Sequence, residues 1–443
     1  MKIHVIPAAF VGFWPLVDRW DEKGETFGRS QRPTGKTEPE MIMKTLFSRV
    51  VLAGICAYGS ASTVGGTEPM PVIEPTFALG LYQQLIDHSA RNVFVSPVSI
   101  ESALAMSAQG AEGKTRQQIL DTLHISNPQG CFTGLAKVLK QQPGEDASTF
   151  QLHIANALWA QSGFALRPEY VEFLKEKFDS QARPLDFQNP EQARSVINQW
   201  VRQQTRDKIK DLLPSGSLMP QTRMVLTNAV YFRADWLEKF DPQQTKKASF
   251  QVTSDRNVEV DMMHLSARLR YAQTQASHVV CLPYVGGTVS MYLIVPKTPD
   301  GLKLTEQELT PEWVSDLNNR LGKREVRLGL PRFQITDTHA MSKILQTMGI
   351  TDAFDPQQAD FSGISDAKPF YIQQVHHKTY VKIDEKGTEA AGATGVVMEV
   401  TSLPMPEEPV EVVADRPFVF LIQDHATRAI LFIGRLCDPS QAD

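Results

Sequence analysis

Asp384-Glu-Lys-Gly-Thr-Glu-Ala-Ala-Gly-Ala-Thr-Gly-Val-Val-Met398 lies close to the C-terminus of a 443-residue chain. Its Gly and Ala content, with Pro404, Pro406 and Pro409 downstream, is the composition of a flexible linker. Its order is not. Thr388, Ala390, Gly392, Thr394, Val396, Met398 and Val400 share one parity, and the carboxylates Glu389 and Glu399 fall on the other, which is the pattern of a two-faced β-strand. A segment composed as a loop and patterned as a strand is expected to be both, at different times.

Outward from this stretch, strand patterns cover 224–232, 289–295, 325–330, 380–383, 417–422 and 429–433. Helical spacing covers 76–86, and a short strand over 92–95 leads into Ser96-Pro97, an N-cap with proline at the first helical position. Ile100, Ala103, Leu104, Ser107 and Ala108 then form one face of a helix. Thr115 and Gln118 read as a capping box for the next, and 195–213 as a long helix ended by Pro214. Helices dominate the first half and strands the second, which predicts an α+β protein with large sheets.

Hydrophobic residues are 42% of the chain and charged residues 21%, the balance of a globular protein with a large core. The formal charge of -5, without a run of Lys and Arg, gives no reason to expect a nucleic-acid partner. Residues 1–42, with Trp14, Pro15 and Trp20, show no sustained period and are expected to be an upstream extension or leader. Residues 43–61 follow the order of a secretory signal: Lys44 and Arg49, an apolar run over 50–57, then Gly59-Ser60-Ala61 for a signal peptidase. The run is too short to span a bilayer, so soluble export to the extracellular space or periplasm is expected, with no membrane partner. Losing the signal removes Cys56 and leaves Cys131, Cys281 and Cys437, an odd number that implies no complete disulfide framework. Residues 70–443 are expected to form one domain.

A series of motifs resembles the serpin family, in that family's order. Asn92-Val-Phe-Val-Ser-Pro-Val-Ser-Ile100 is similar to the start of its second helix. Ile197-Asn-Gln-Trp-Val201 with Lys208-Ile-Lys-Asp-Leu-Leu-Pro214 is similar to the helix lying across its main sheet. Thr227-Asn-Ala-Val-Tyr-Phe232 with Trp236 resembles a central strand, and Ala359-Asp-Phe-Ser-Gly-Ile364 and Asp415-Arg-Pro-Phe-Val-Phe-Leu-Ile422 complete the set. The resemblance implies an α+β fold of helices packed around three β-sheets, with an exposed reactive-centre loop at about 385–412. It also implies a suicide substrate that traps a serine protease as a covalent acyl-enzyme by inserting the cut loop into the main sheet, and that acts as a monomer. A cysteine protease is open to the same trap through a thioester.

By the same resemblance the hinge is Glu385, Gly387, Thr388, Glu389, Ala390, Ala391, Gly392, Ala393 and Thr394. Small residues there allow the loop to slide between strands. Arg332 corresponds to the base that pairs with Glu385, and Trp236 packs where insertion begins. Ser96, Ser99, Asn228 and His377 correspond to the polar cluster beneath the sheet centre. Counting from Glu385 puts the scissile bond at Thr401-Ser402; counting back from Pro417 puts it near Met405 or Pro406. Ala234 stands where glycine is usual, and His376 doubles a usually single histidine.

The rival classes are weaker. No Gly-x-Ser-x-Gly elbow, His-Glu-x-x-His or phosphate-binding glycine loop is present, so neither an enzyme nor a metal or other cofactor is expected. Lys137 and Lys140 are too few for a heparin-like activator site. Within the family, the remaining alternative is a non-inhibitory member acting as a binding or structural protein.

Overall fold

The computed structural model describes residues 72–86, 91–139, 150–388 and 408–441. The readings on 1–42 and 43–61, on Glu389, Ala390, Ala391, Gly392, Ala393 and Thr394, and on Thr401-Ser402 lie outside the described residues. The helices that bear on the site are α1 (Thr76–Leu85), α2 (Pro97–Gly110), α3 (Gly113–Thr122), α4 (Pro128–Leu139), α5 (Pro168–Phe178) and α6 (Pro190–Gln204). In chain order the strands are β1 (Val93–Val95), β2 (Gln151–Gln161), β3 (Gln181–Leu185), β4 (Met224–Asp235), β5 (Lys246–Thr253), β6 (Arg256–Gln273), β7 (Ser277–Pro283) and β8 (Val289–Pro296). They continue with β9 (Gly322–Pro331), β10 (Phe333–Ala340), β11 (Ile372–Asp384), β12 (Gly387–Thr388), β13 (Val410–Val413), β14 (Phe418–Asp424) and β15 (Ile430–Leu436).

One sheet has six strands in the order β10-β11-β12-β4-β2-β3. The other has nine, β1-β15-β14-β8-β7-β6-β9-β13, with β5 attached to β6. The three sheets that the resemblance implies are joined here into two hydrogen-bonded networks. The joint is β6, whose 18 residues pair in turn with β5, β9 and β7. Strands β8, β14 and β15 are buried along their whole length, which explains why they read as continuous apolar runs rather than alternations. Phe94 stacks on Phe432 at 5.0 Å and on Phe420 at 5.7 Å, tying β1 to these strands.

Every residue of α2 except Gln109 is buried, so the helix has no solvent face and the single apolar stripe expected of it was too narrow. Its serines tolerate this because their hydroxyls bond back within the helix, Ser102 to the Val98 carbonyl at 2.6 Å and Ser107 to that of Ala103 at 2.9 Å. Ser96 is the N-cap and Pro97 the first helical residue, as expected, but the Ser96 hydroxyl does not cap: it donates to the Leu431 carbonyl at 2.7 Å.

Two helix readings need correction. Glu112, not Thr115, is the N-cap of α3, and the expected capping box does not form. Thr115 Oγ1 instead accepts the Asp360 amide, and Gln118 Oε1 accepts the amides of Thr351 and Asp352, so both side chains fasten α3 to a distant segment. The helix expected over 195–213 spans Pro190–Gln204 only. Arg206 and Asp207 take positive φ, and the Thr205 hydroxyl accepts the Ile209 amide, which turns the chain back. Asn198 then accepts the amides of Leu212 and Leu213, laying 208–213 beside α6.

The six-stranded sheet therefore has two differently covered faces. Its inner face contributes Leu152, Leu158, Leu226, Val230, Phe232, Val375 and Val381 to the main core. Its outer face carries Ala155, Ala157, Trp159, Val225 and Ala229 beneath Ile197, Trp200 and Val201 of α6.

Candidate functional site

Strands β11 and β4 run parallel and pair directly from Ile372↔Met224 to Tyr380↔Tyr231. Beyond this they part. The space between Ile383-Asp384 and Ala234-Asp235 is taken by Gly387-Thr388, antiparallel to both neighbours: Thr388 faces Ile383 on one side and Ala234 on the other. A two-residue strand with a partner on each side is the beginning of a central strand.

The backbone around the turn is fully used. Lys386 N–H donates to Asp384 Oδ1 at 3.0 Å, the Lys386 carbonyl accepts Trp236 N–H at 2.9 Å, and the Glu385 carbonyl accepts Phe240 N–H at 3.0 Å. Gly387 has no alternative, since a Cβ there would lie 2.1 Å from the Ala234 carbonyl oxygen and 2.7 Å from Asp235 Cα. Thr388 is wholly buried, with its hydroxyl 2.7 Å from that of Tyr284. Tyr284 stacks on Trp236 with ring centroids 4.6 Å apart, and Trp236 Nε1 donates to the Asp384 carbonyl at 3.0 Å. Burial raises the Tyr284 phenol far above its ordinary value, so two neutral hydroxyls share one hydrogen bond at the head of the gap.

The expected pair of Arg332 and Glu385 is formed, with Arg332 Nε 2.8 Å from both carboxylate oxygens and the Thr245 hydroxyl donating to Oε1. Burial alone would raise the Glu385 carboxyl, but the bonds from Arg332 and Thr245 outweigh it and hold it below the usual range. The hydrogen bonds to Glu385 in turn raise the Arg332 guanidinium. The hinge turn is thus clamped from β9–β10 on one side and from Trp236 and Phe240 on the other.

Deeper in the sheet, Ser96, Ser99, Asn228 and His377 meet in one buried cluster. Ser96 N–H donates to His377 Nε2 at 3.1 Å, so that nitrogen carries a lone pair. Nδ1 therefore carries the proton and donates to Asn228 Oδ1. Asn228 Nδ2 donates to Ser99 Oγ and Asn156 Oδ1, and Ser99 Oγ is 3.2 Å from Asn156 Oδ1. Burial, and then repulsion from His339, drives the His377 pKa well below 6.5, which agrees with the neutral tautomer that its partners require.

Asn156, Tyr284 and Thr245 were not foreseen. Asn156 had a signal, since it is the polar residue on the apolar inner parity of Leu152, Leu158 and Ala160 in β2. Tyr284 and Thr245 had none, because each follows the end of an element and acts through a contact distant in sequence.

His376, on the opposite face of β11, has its pKa lowered by burial to about 4. Its folded value lies below the unfolded value of about 6.5, so its contribution to stability is intact above pH 6.5 and is lost as pH falls toward 4. Glu101 on α2 has the opposite slope, its carboxyl being pushed up to about 8 by burial, so only a difference isolates the histidine. His376→Gln should gain about 2 kcal/mol relative to the parent chain between pH 7.5 and pH 5. Parallel denaturation curves at the two pH values would show that His376 is not buried in its neutral form.

Cys281 and Cys437 are both buried, and burial pushes the Cys281 thiol up. Among the described residues no group of His, Cys, Asp or Glu is placed to hold a metal ion, and no helix is long and apolar enough to cross a membrane.

A model of the family Serpin (serine protease inhibitor) matches residues 74–439. An uncharacterized serpin-like protein of Methanosarcina acetivorans is 36% identical over 368 residues, 81% of this chain and 85% of its own length. A leukocyte elastase inhibitor of Bos taurus is 37% identical over 382 residues, 84% of this chain and 100% of its own. Among solved structures, uncleaved ovalbumin superposes with a TM-score of 0.75 at 30% identity, covering 84% of this chain and 100% of the ovalbumin chain. Ordered motifs, a sheet parted at its head and a match spanning the domain agree: the chain belongs to the serpin family, with its α+β fold.

Proposed function

We propose that this protein is an irreversible suicide-substrate inhibitor of serine endopeptidases of the elastase, chymotrypsin or subtilisin type. The observation that carries the reading is Thr388, already seated between β11 and β4 with a small side chain and hydrogen-bonded neighbours on both sides. In the proposed reaction the protease serine Oγ attacks the carbonyl carbon of Thr401. The Thr401–Ser402 amide bond breaks, the Ser402 amine leaves carrying a proton, and an ester joins Thr401 to the protease. Continued insertion then draws the ester toward the other end of the sheet. Sixteen extended residues reach about 50 Å. Displacement on that scale pulls the ester out of the oxyanion hole, and hydrolysis stalls.

The segment from Gly387 to Asp415 contains no Lys or Arg. A trypsin-type pocket would leave its aspartate unpaired against any of these residues, whereas Thr401, Leu403, Met398 or Met405 suits a small or apolar pocket. The expected result is an SDS-stable complex with at least one elastase-, chymotrypsin- or subtilisin-like enzyme, release of a C-terminal peptide beginning at Ser402, and no complex with trypsin. A stable trypsin complex acylated within this loop would contradict the specificity. Cleavage by every protease with no complex would favour a non-inhibitory member of the family.

We also propose export, on the order of basic flank, apolar run and small residues over 43–61. Mass measurement of the expressed protein should give a mature N-terminus just after Ala61; retention of residues 43–61 would refute it.

A further inference from the structure

We propose that Arg233 and Arg223, assisted by Lys382, form a receiving strip on the outer face of the six-stranded sheet for Glu389 and Glu399, and that these pairs hold segment 389–399 in the register that Gly387-Thr388 begins. The inference rests on the insertion reading above and adds a recognition element to it.

The register follows from the pairing already present. Thr388, Ala234 and Ile383 lie side by side on the inner face. Extended by one residue, the ladders of Gly387-Thr388 would set an inserted Glu389 directly across from Lys382 of β11 and Arg233 of β4, on the outer face. Continued to the residue before β4, the same ladder would set an inserted Glu399 across from Arg223. The interval between the two glutamates equals that between the two arginines, so one register satisfies both.

What lies between them fits the same register. Ala391 would pass between Tyr380 and Tyr231, Ala393 between Lys378 and Ala229, and Gly395 between His376 and Thr227. This stretch of the outer face is covered: Ala229 and Val225 lie under α6, Lys208 Nζ sits 5.9 Å from the centre of the Tyr380 ring, and Lys378 Nζ donates to the Asp211 carbonyl at 2.8 Å. Only small or apolar side chains can pass there. The carboxylates come at the two ends of the covered stretch, where Lys382 is 47% exposed in its side chain and Arg233 and Arg223 are half-buried. Burial and the nearby Lys382 and Arg233 hold the Lys208 ammonium below its ordinary value, a sign of the positive field at the hinge end.

Wrong registers are penalised in every direction. A slip of one residue turns both glutamates into the apolar core. A slip of two one way sets Glu389 against Asp235 and Asp384, like charge on like. The other way, it sets Glu389 between Tyr231 and Tyr380, beneath the covering segment.

The test compares the gain in melting temperature on loop cleavage, cut minus uncut, in three chains treated with the same protease. These are the parent, Arg223→Glu with Arg233→Glu, and that pair combined with Glu389→Arg and Glu399→Arg. Taking the difference cancels any effect of the substitutions on the uncut fold. The parent should show the gain, the double reversal should shrink it by about 2–4 °C, and the fourfold swap should restore most of the loss. A parent gain left untouched by the reversal, or a loss that the swap fails to restore, overturns the pairing while insertion stands. No gain in the parent overturns insertion itself, and the pairing with it.

Discussion

Cutting the chain within 389–407 should raise its melting temperature by roughly 10–15 °C. In the uncut protein β11 and β4 pair with each other through Ile372–Tyr380 and Met224–Tyr231, and among the described residues only Gly387-Thr388 intervenes. In the proposed mechanism, insertion of the following residues would break that single parallel ladder and form two antiparallel ones, a net gain on the order of ten backbone hydrogen bonds. At about 1 kcal/mol each, the cut form gains about 10 kcal/mol over the uncut form. Such a gap means that the uncut fold is held by a barrier and not by being the most stable arrangement. Two samples, one nicked by a protease and one intact, need only be melted side by side. Coincident curves would show that the parted strands are a static feature and that no strand is added.

How much of this was legible in the sequence depended on whether the signal was local. Alternation at 384–398 marked a strand inside a loop composition; of that stretch the described residues reach only Thr388, where Gly387-Thr388 lie in the sheet. Arg332, Glu385, Trp236, Ser96, Ser99, Asn228 and His377 were picked out through family motifs, and the structure brings each to the parted head or to the buried cluster. The motifs could not supply the hydrogen-bond directions: Ser96 looked like a helix cap, but its amide fixes the His377 tautomer while its hydroxyl goes to Leu431. Thr115 and Gln118 had the spacing of a capping box and were used for tertiary contacts, since a hydroxyl or amide can be claimed by any backbone that packs against it. The 195–213 helix failed for a similar reason. Apolar spacing continues through Ile209, Leu212 and Leu213 because all three are buried on the sheet, yet Thr205 and Asn198 divert the backbone between them. Periodicity reports burial, and helix only when nothing competes for the backbone. Tyr284, which holds the Thr388 hydroxyl, was out of reach of any local pattern because their pairing spans more than a hundred residues.

The hinge itself gives the second large effect: under the proposed mechanism, Thr388→Arg should convert the protein from an inhibitor into a substrate. Thr388 has no solvent contact, lies between Ala234 and Ile383, and directs its hydroxyl at Tyr284 above the stacked Trp236. A guanidinium in that place would lose its hydration against aromatic rings, with a neutral phenol as its nearest polar partner. Even after relaxation this costs at least about 3 kcal/mol, so residue 388 would leave the sheet and the first step of insertion would slow about a hundredfold. The acyl-enzyme chooses between insertion and hydrolysis, and hydrolysis in an undistorted active site is unaffected. Cleavage at the parent rate is therefore expected, with the SDS-stable complex lost and the number of inhibitor molecules consumed per protease rising by at least tenfold. The cut variant should also lose most of the thermal gain described above. Thr388→Val separates shape from charge: it fits the same space and leaves only the Tyr284 hydroxyl short of a partner, a cost of about 1 kcal/mol, so complex formation should survive. Unchanged stoichiometry in Thr388→Arg would mean that insertion does not begin at residue 388. Loss of complex in both variants would mean that the Tyr284 hydrogen bond, and not the space between the strands, is what insertion depends on.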